Sequence, residues 1–306
     1  MDVIDKAAKN IRQGKLVIFP TETVYGLGAD ATNSLAVREI YAAKGRPSFN
    51  PLIAHVTGPE MVGRYADIPD TALKLMETYW PGPLTLVLNR KSNCAIAPEV
   101  SANGKTVAMR CPNHPIALAL IQKADLPIAA PSANPFGKLS PTQVEHLAPS
   151  ILEKTSCVLD GGPCQVGVES TVVLMTEETP VILRPGYITR EQIEQTLSCS
   201  VRLSLTDETA PKSPGQLLSH YAPRKHLRIN VKHPEKDEVL LSFGPILGYL
   251  NLSPKGDVEE AAHNLFNYLK RLDEDPAVQK IAVSPIPNTG VGMAVNDRLF
   301  RASTKK

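Results

Sequence analysis

Apolar and polar positions in the first two thirds of the chain have the spacings of alternating helices and strands. Apolar residues recur at helical spacing across residues 2–13, and Gly14 then supplies a natural stop, so this stretch is predicted as a helix. The apolar run 16–19 is typical of a short buried strand. The same criteria predict helices at 34–44, 71–79, 115–123 and 190–197, and strands at 84–88, 107–109, 127–130, 158–159, 171–174 and 181–183.

The pattern changes near residue 200. Residues 201–223 contain three prolines and show little periodicity, which is typical of a linker. A second helix-and-strand pattern then begins, with strands predicted at 227–230, 239–243 and 280–283 and helices at 257–272 and 291–302. We therefore expect a larger α/β domain built on a mixed sheet over residues 1–200, and a small Rossmann-like α/β domain over residues 224–306.

Composition narrows the class of protein. The 306 residues are 42% hydrophobic, which indicates a globular chain, and the formal net charge of +2 disfavours a dedicated nucleic-acid binder. Five cysteines without a CxxC spacing disfavour a zinc site or a disulfide framework. The N-terminal residues lack the apolar core of a signal peptide, and no apolar run approaches the roughly 20 residues of a membrane span. We expect a soluble, cytoplasmic protein without a membrane partner.

Five polar stretches beside apolar runs carry the candidate chemistry. Each combines hydroxyl, amide or charged side chains with glycine, proline or alanine, and a buried strand would not concentrate so many polar groups without partners for them. A single such stretch is more often only a turn, but five together favour a ligand site at the edge of the sheet. They are PTETVYGLG (20–28), KGRPSFNPLIAH (44–55), WPGPLT (80–85), APSANPFGKLSPT (130–142) and GVEST (167–171).

Two of these stretches point to an anionic ligand. Lys44 and Arg46 place two cations beside a strand-end loop, which favours phosphate or carboxylate. Ser132 and Asn134 could hold phosphate through hydroxyl, amide and backbone N–H groups, although a helix N-cap or an Asx turn explains them equally well. Neither G-x-x-x-x-G-K-[ST] nor G-x-G-x-x-G is present, so a nucleotide would need a different arrangement.

Histidines and strand-end arginines are the remaining candidates. A lone histidine such as His55 more often serves structure, whereas the His220–Tyr221 pair in a linker is expected to dock on something. Arg110 and Arg184 end predicted strands and suit carboxylate or phosphate binding, the alternative being weak surface ion pairs. No G-x-S-x-G context for a nucleophile is present, so we expect catalysis by positioning and charge neutralisation, as in nucleotidyl transfer.

Six motifs follow one another along the chain, namely PTETVYGLG, KGRPxxNPL, WPGPLT, APSAN–SPT, GVEST and LRPG. In this order they resemble the motifs of the YrdC-domain threonylcarbamoyl-AMP synthases, over roughly residues 5–200. SPG–HYAP (213–223) and GMAVNDRLFRA (292–302) resemble the long form of that family, which carries an additional C-terminal Rossmann-like domain. The resemblance implies a twisted mixed β-sheet with flanking helices around a concave, positively charged cavity. It also implies that the linker lies over the active site.

The resemblance further implies a reaction. L-threonine, bicarbonate or CO2, and ATP would give threonylcarbamoyl-AMP and pyrophosphate. Mg2+ would come with the ATP, with no protein side chain as a metal ligand. A tRNA threonylcarbamoyl-transfer complex would then place the group on an adenosine of tRNAs that read codons starting with A, so contact of this chain with tRNA would be indirect.

Residue roles follow from the same resemblance. The implied catalytic set, which also binds the nucleotide phosphates, is Lys44, Arg46, Ser132 and Asn134. The other implied ATP contacts are Asn50, Thr106, Ser140, Arg184 and Tyr221. The implied threonine site consists of Thr23, His55, Arg110, the backbone of Ala130, and Ser170. Arg110 would hold the threonine carboxylate as a fork, and a hydroxyl or an imidazole would recognise the threonine hydroxyl.

One departure from the family pattern and three alternatives stay open. The family linker often reads PGM with an aromatic residue two positions on, whereas this chain has PGQLL at 214–218, which leaves a lid role to Tyr221. The alternatives are an RNA-binding module, an enzyme that carbamoylates a different acceptor, as in hydrogenase maturation proteins, and a regulatory YrdC paralogue without synthase activity.

Overall fold

The computed structural model describes residues 2–204 and 220–304, here named the N-terminal and the C-terminal domain. The strands of the N-terminal domain are β1 (Val17–Phe19), β2 (Gly26–Asp30), β3 (Ile53–His55), β4 (Leu84–Asn89), β5 (Thr106–Arg110), β6 (Ile128–Ala129), β7 (Cys157–Val158), β8 (Thr171–Leu174), β9 (Val181–Arg184) and β10 (Arg202–Leu203). They form one mixed sheet in the order β10-β9-β8-β4-β5-β3-β6-β2-β1-β7. Because β3 and β5 are parallel neighbours, His55 lies directly opposite Arg110 where both strands end.

The helices of this domain are α1 (Val3–Arg12), α2 (Ser34–Lys44), α3 (Pro59–Val62), α4 (Asp70–Tyr79), α5 (Pro115–Ala124), α6 (Pro149–Leu152) and α7 (Arg190–Leu197), with 3₁₀ turns at Pro98–Ser101 and Val144–His146. Local capping explains where α2 begins and where it ends. Asn33 caps its start by accepting two backbone N–H bonds, and Gly45 ends it in the left-handed conformation. Lys44 is therefore the last residue of the helix, and Arg46 lies in the loop that follows.

The C-terminal domain is a small parallel α/β unit. Its strands β11 (His226–Arg228), β12 (Glu238–Ser242), β13 (Leu250–Asn251) and β14 (Lys280–Val283) pair in the order β11-β14-β12-β13, and each of these pairings is parallel. Helix α8 (Val258–Glu274) begins at the capping carboxylate of Asp257, and α9 (Gly292–Ser303) is the last helix described. In neither described range is there a helix with the length and apolar character needed to cross a membrane.

The two domains share one packed core. Val24 and Val168 of the N-terminal domain belong to the same buried apolar cluster as Phe266 on α8 and Leu299 on α9. At Gly167, where φ is +79°, a Cβ would come within 2.5 Å of a backbone carbonyl of α8. Glycine is therefore required by both conformation and space, and the GVEST stretch lies directly against the C-terminal domain.

The structure agrees with the sequence analysis in class and in most elements. The mixed sheet with flanking helices and the small parallel C-terminal sheet are as predicted, and the helices at 34–44 and 190–197 have the predicted bounds. Strands β2 and β3 were not predicted. Strand β10 falls inside the predicted linker 201–223 and pairs with β9, whereas residues 205–219 lie outside the described residues, so the domain boundaries stay a prediction.

Close packing at Gly186 predicts a sharp loss of stability on adding a methyl group. A Cβ at this position would lie 2.2 Å from the backbone nitrogen of Thr171. We expect Gly186→Ala to lower the free energy of unfolding by about 1–3 kcal/mol, the usual cost of overpacking. Urea unfolding followed by circular dichroism measures this change.

Gly63→Ala is the matched control for this measurement. A Cβ at Gly63 would lie 3.5 Å from the nearest atom, which is an ordinary contact. The urea concentration at the midpoint of unfolding should therefore stay at or slightly above that of the wild type. Equal midpoints for the two variants would show that the backbone around Gly186 can move apart at little cost.

Candidate active site

A narrow cavity lies at the strand ends of the large sheet, beside the turn that joins β1 and β2. Its volume is about 50 Å³. The cavity therefore has room for a few small groups, and a molecule as large as ATP enters only if part of the wall moves.

The structure gathers most of the predicted site residues around this cavity. The whole predicted threonine set lines it, as do four of the predicted nucleotide contacts. Polar stretches far apart in sequence thereby meet at one place, as the sequence analysis expected of a site at the sheet edge. The threonine set is Thr23, His55, Arg110, Ala130 and Ser170, and the four nucleotide contacts are Arg46, Ser132, Arg184 and Tyr221.

Lys44 joins two of the polar stretches. Its ammonium group donates to the backbone carbonyls of Ser132 and Asn134, and its own carbonyl accepts from the N–H of Phe136 at 2.8 Å. Burial, and then the neighbouring Arg46, lower the pKa of Lys44 well below its usual value. An anion bound at this place would favour the charged form of Lys44, so the site gains from a negatively charged ligand.

Arg46 is held on one side by backbone carbonyls. Its Nε donates to the carbonyl of Asn50 at 3.1 Å and its Nη2 to that of Pro51 at 2.8 Å. The guanidinium carbon lies 5.9 Å from the centre of the Phe136 ring. Burial lowers the pKa of Arg46 to about 10, which leaves the group charged at neutral pH. Arg46 is thus a fixed positive charge in the cavity wall.

Arg110 forms a buried ion pair with Glu22, to which the sequence analysis assigned no role. The Nη2 atom of Arg110 lies 2.7 Å from Oε2 of Glu22, and Nε donates to the carbonyl of Gly82 at 3.3 Å. Neither Nη2 of Arg110 nor Oε2 of Glu22 makes a well-formed hydrogen bond within the described residues, which indicates that the two groups are close but poorly angled. A substrate carboxylate at Arg110 would therefore share the guanidinium with Glu22.

Ser170 connects the predicted threonine and nucleotide contacts. Its hydroxyl lies 2.8 Å from that of Thr85 and accepts from Nη2 of Arg184 at 3.1 Å. Its carbonyl accepts from Nε of Arg184 at 3.0 Å. Burial lowers the pKa of Arg184.

Several buried polar atoms near the cavity have no hydrogen-bond partner among the described residues. They are both amide atoms of Asn50, Oδ1 of Asn134, and the Nδ1 atoms of His55 and His220. Buried polar atoms in proteins are nearly always paired, so such atoms mark places where a ligand or water completes the bonding. Burial, with a contribution from Arg110, lowers the pKa of His55 to about 3, so its imidazole is neutral at pH 7.

The His220–Tyr221 pair packs into the site, as expected for a pair that docks. The His220 ring lies 5.6 Å from the Phe136 ring, edge to face, and the Tyr221 ring lies 5.5 Å from that of Phe266 on α8. Both side chains are buried, and Tyr221 lines the cavity. The PGQLL segment at 214–218 lies outside the described residues, so the lid role of the linker stays a prediction.

Five predicted nucleotide contacts do not line the cavity, but three of these are bonded to residues that do. Lys44 donates to the carbonyl of Ser132, the carbonyl of Asn50 accepts from Arg46, and Ser140 donates to Glu169. Asn134 is connected to the wall through Lys44. Thr106 begins β5, about 13 Å along the strand from Arg110 at the usual rise per residue, and the structure does not bring it to the cavity. The nucleotide roles of these five residues stay predictions.

Charged residues without a predicted role complete the site. Glu22 pairs with Arg110, and Glu169 lines the cavity and pairs with Arg298 on α9 at 2.9 Å. Glu22 and Glu169 stand inside the PTETVYGLG and GVEST stretches, which is the signal by which the sequence could have indicated them. Their partners could not be found in this way, because Arg298 is 129 positions from Glu169.

Comparison with known proteins gives consistent matches. Residues 9–186 match the Sua5/YciO/YrdC family, described as telomere recombination, and residues 188–304 match the threonylcarbamoyl-AMP synthase C-terminal domain. The threonylcarbamoyl-AMP synthase of Bacillus subtilis is 43% identical, over 98% of this chain and 92% of that protein. The one of Schizosaccharomyces pombe is 35% identical, over 94% of this chain and 85% of that protein. The crystal structure of Pyrococcus abyssi Sua5 complexed with L-threonine matches with a TM-score of 0.90 and 40% identity, covering 98% of this chain and 94% of that one.

A mixed-sheet domain with a buried, cation-lined cavity at its edge, packed against a small parallel α/β domain, has the architecture of a two-domain α/β enzyme. The chain belongs to the threonylcarbamoyl-AMP synthase family, in the two-domain form that carries the additional C-terminal domain. The resemblance seen in the sequence motifs is thereby confirmed, and so is the expected enzyme class, a nucleotidyltransferase.

Burial of His55 and His220 predicts a loss of stability in mild acid. Burial lowers the pKa of His55 to about 3, and burial followed by the charge of Arg46 lowers the pKa of His220 well below 6.5. The unfolded chain therefore binds a proton at each histidine near pH 6.5 and the folded chain does not, so stability is full above that pH and falls below it. At pH 5.5 His55 should lower the free energy of unfolding by about 1.4 kcal/mol, and His220 should act in the same direction.

Thermal unfolding between pH 5.5 and 8 measures this effect in the wild type, His55→Asn and His220→Asn. Each substitution should make the loss of stability towards pH 5.5 shallower, because one buried titrating group is removed. His233→Asn, at an exposed position, should keep the slope of the wild type. Parallel slopes for all four proteins would contradict the assignment of the acid sensitivity to the two buried histidines.

Proposed function

We propose that this chain forms threonylcarbamoyl-AMP and pyrophosphate from L-threonine, bicarbonate or CO2, and ATP. The observation that carries the proposal is the meeting of the whole predicted threonine set with four predicted nucleotide contacts at one buried, cation-lined cavity. Membership in a family whose relatives bear the name of this reaction supports it, as does the likeness to a relative complexed with L-threonine.

The cavity suits L-threonine. Arg110 would bind the carboxylate, and the hydroxyls of Thr23 and Ser170 line the same space. Because Nδ1 of His55 has no partner within the described ranges, it is available to the amine or the hydroxyl of the substrate. The N–H of Ala130 is already bonded to a neighbouring strand at 2.9 Å, so its carbonyl would be the group that meets the substrate.

The chemistry needs positioning and charge neutralisation. The neutral threonine amine would add to the carbon of CO2 with loss of a proton, or to that of bicarbonate with loss of water, to form a carbamate. An oxygen of the carbamate would then attack the α-phosphate as pyrophosphate leaves. Lys44 and Arg46 would balance the charge on the phosphates, and Ser132 and Asn134 would hold them in place. No nucleophile from the protein takes part in this scheme.

We propose that Mg2+ enters with ATP. Within the described residues no group of three or more His, Cys, Asp or Glu side chains could hold a metal ion. The carboxylates at the site, Glu22 and Glu169, are each paired with an arginine. Phosphate oxygens are ligands that Mg2+ prefers, and the bound ion would supply charge neutralisation to the leaving pyrophosphate.

Entry of ATP requires the cavity to widen, and we propose that the His220–Tyr221 wall provides this movement. The cavity in its present form is too narrow for a nucleotide, and these two side chains belong to the part of its wall that comes from the predicted linker. Tyr221 would then contact the bound nucleotide when the wall closes again. Closure over two substrates would exclude water from the reactive carbamate and adenylate.

The product would leave the chain for a tRNA threonylcarbamoyl-transfer complex, which we propose as its partner in the cytoplasm. A formal net charge of +2 favours indirect rather than direct contact with tRNA, because dedicated tRNA-binding surfaces carry concentrated positive charge. The reactive mixed anhydride also favours direct hand-off to the partner over release into water.

Pyrophosphate release is the first test of the proposed reaction. With ATP and Mg2+, we expect release to require L-threonine and bicarbonate together, and to be weaker with L-serine, which lacks the methyl group. A coupled phosphate assay measures the rate. No release in any combination, together with a salt-sensitive gel shift of tRNA, would instead indicate an RNA-binding paralogue.

Arg46→Ala tests the nucleotide assignment. Removing a fixed charge from the phosphate site should raise KM for ATP and lower kcat by about 100-fold or more, since no other group occupies its place. Arg64→Ala is the control, because Arg64 is half-exposed and its carboxylate partners lie 3.8–3.9 Å away. Turnover of Arg46→Ala at the level of Arg64→Ala would contradict the phosphate role.

Arg110→Lys tests the threonine assignment. The substitution keeps a positive charge for Glu22 but removes the fork that would bind a carboxylate at two oxygens. We expect KM for L-threonine to rise about tenfold or more, with KM for ATP nearly unchanged. Calorimetric titration with L-threonine gives an independent value of its affinity. An unchanged affinity would show that the threonine carboxylate binds elsewhere.

A further inference from the structure

The last helix of the C-terminal domain carries a cluster of buried charges. On α9, Asp297 lies 2.9 Å from Arg298 and 3.0 Å from Arg301, and both arginine side chains are almost completely buried. Arginines are rarely buried to this degree unless they are paired. The cluster lies within the GMAVNDRLFRA segment, for which the proposed reaction supplies no role.

Arg298 crosses to the N-terminal domain. Its Nε lies 2.9 Å from Oε2 of Glu169, and its Nη1 donates to the carbonyl of Pro185 at 2.7 Å. Its Nη2 donates to the backbone carbonyl of Glu169 at 3.2 Å. A single side chain of the C-terminal domain therefore binds both the GVEST stretch, which contains Ser170, and the LRPG turn, which contains Arg184.

Glu169 carries this contact into the cavity. One carboxylate oxygen is bound by Arg298, and the other accepts a hydrogen bond from the hydroxyl of Ser140. Glu169 itself lines the cavity. Ser140, a predicted ATP contact, is therefore oriented by a carboxylate whose own position depends on Arg298.

Arg298 also packs against Tyr221. Its guanidinium carbon lies 5.6 Å from the centre of the Tyr221 ring, within the range of a cation–π contact. Two opposing effects act on the charge of Glu169: burial raises its pKa, but Arg298 and Arg184 outweigh burial, so its pKa is lowered. Glu169 is therefore ionised at neutral pH and remains a charged partner for Arg298.

We propose that Arg298 is a positioning residue for the nucleotide site, holding Glu169, and through it Ser140, in place while it supports Tyr221 from behind. The C-terminal domain is then part of the catalytic apparatus, because the nucleotide site is incomplete without its last helix. This inference rests on the proposed function, since it assigns Ser140 and Tyr221 to ATP.

A purely structural salt bridge between the domains would have the same geometry, so the test separates the two roles. Arg298→Met leaves the charge of Glu169 buried without its partner, which should lower the thermal midpoint. The double variant Arg298→Met with Glu169→Gln removes that unpaired charge, so its thermal midpoint should recover most of the loss. A positioning role predicts that nucleotide affinity does not recover with it.

The measurements are thermal unfolding, calorimetric binding of α,β-methylene-ATP with Mg2+, and KM values from pyrophosphate release, all on the full chain. For Arg298→Met and the double variant, we expect about tenfold weaker nucleotide binding and a similar rise in KM for ATP, as for the loss of one charge-assisted bond. KM for L-threonine should change less than about threefold. Arg228→Met is the matched control, because Arg228 binds Glu238 through two hydrogen bonds in the same domain, away from the cavity.

The outcomes separate the inference from the proposed function. Nucleotide affinity that recovers together with the thermal midpoint in the double variant would overturn the positioning role and leave a structural bridge. Wild-type protein that binds the analogue but releases no pyrophosphate would overturn the proposed reaction, and the binding comparison between variants would still decide the role of Arg298. Wild-type protein that does not bind the analogue would overturn both.

Discussion

The structure depends on how positive charge is buried around one cavity. Lys44, Arg46, Arg110 and Arg184 are all nearly inaccessible to water. Such cations lose hydration and repel one another, and both effects are costly in a low-dielectric interior. Backbone carbonyls and the Glu22 carboxylate offset only part of this cost. The positive charge that remains would favour an anion over a neutral molecule at this cavity.

The same constraint connects the two domains. Glu169 is a negative charge at the cavity, and Arg298 of the C-terminal domain binds it. The GVEST stretch also packs against α8, where Gly167 admits the helix backbone at close range. Charge pairing and close packing therefore both join the C-terminal domain to the cavity wall. A chain with a formal net charge of only +2 can still have a small cationic site, because a few buried cations at one cavity change the net charge very little.

The fold was predictable wherever local pattern and tertiary environment agree. Helix 34–44 has amphipathic spacing, a capping asparagine and a terminal glycine, so its bounds were predicted correctly. Strand β2 reads GLGAD, which has low strand propensity, and it is a strand only because β1 and β6 pair with it on either side. For the site, the polar stretches and their cations were predicted from residue type, whereas the pairing of Arg110 with Glu22 was not.

The sequence by itself determined the α/β class, the polar stretches at the strand ends, and the family to which the motifs belong, because these depend on residue type, periodicity and local order. Only the tertiary structure decided that the predicted threonine set lines one narrow cavity, that His220 and Tyr221 close part of it, and that Arg298 reaches Glu169 from another domain. These contacts join residues far apart in sequence, and the Arg298–Glu169 contact spans 129 positions. No local pattern encodes them, because their partners are set by strand order and by the packing of one domain on the other.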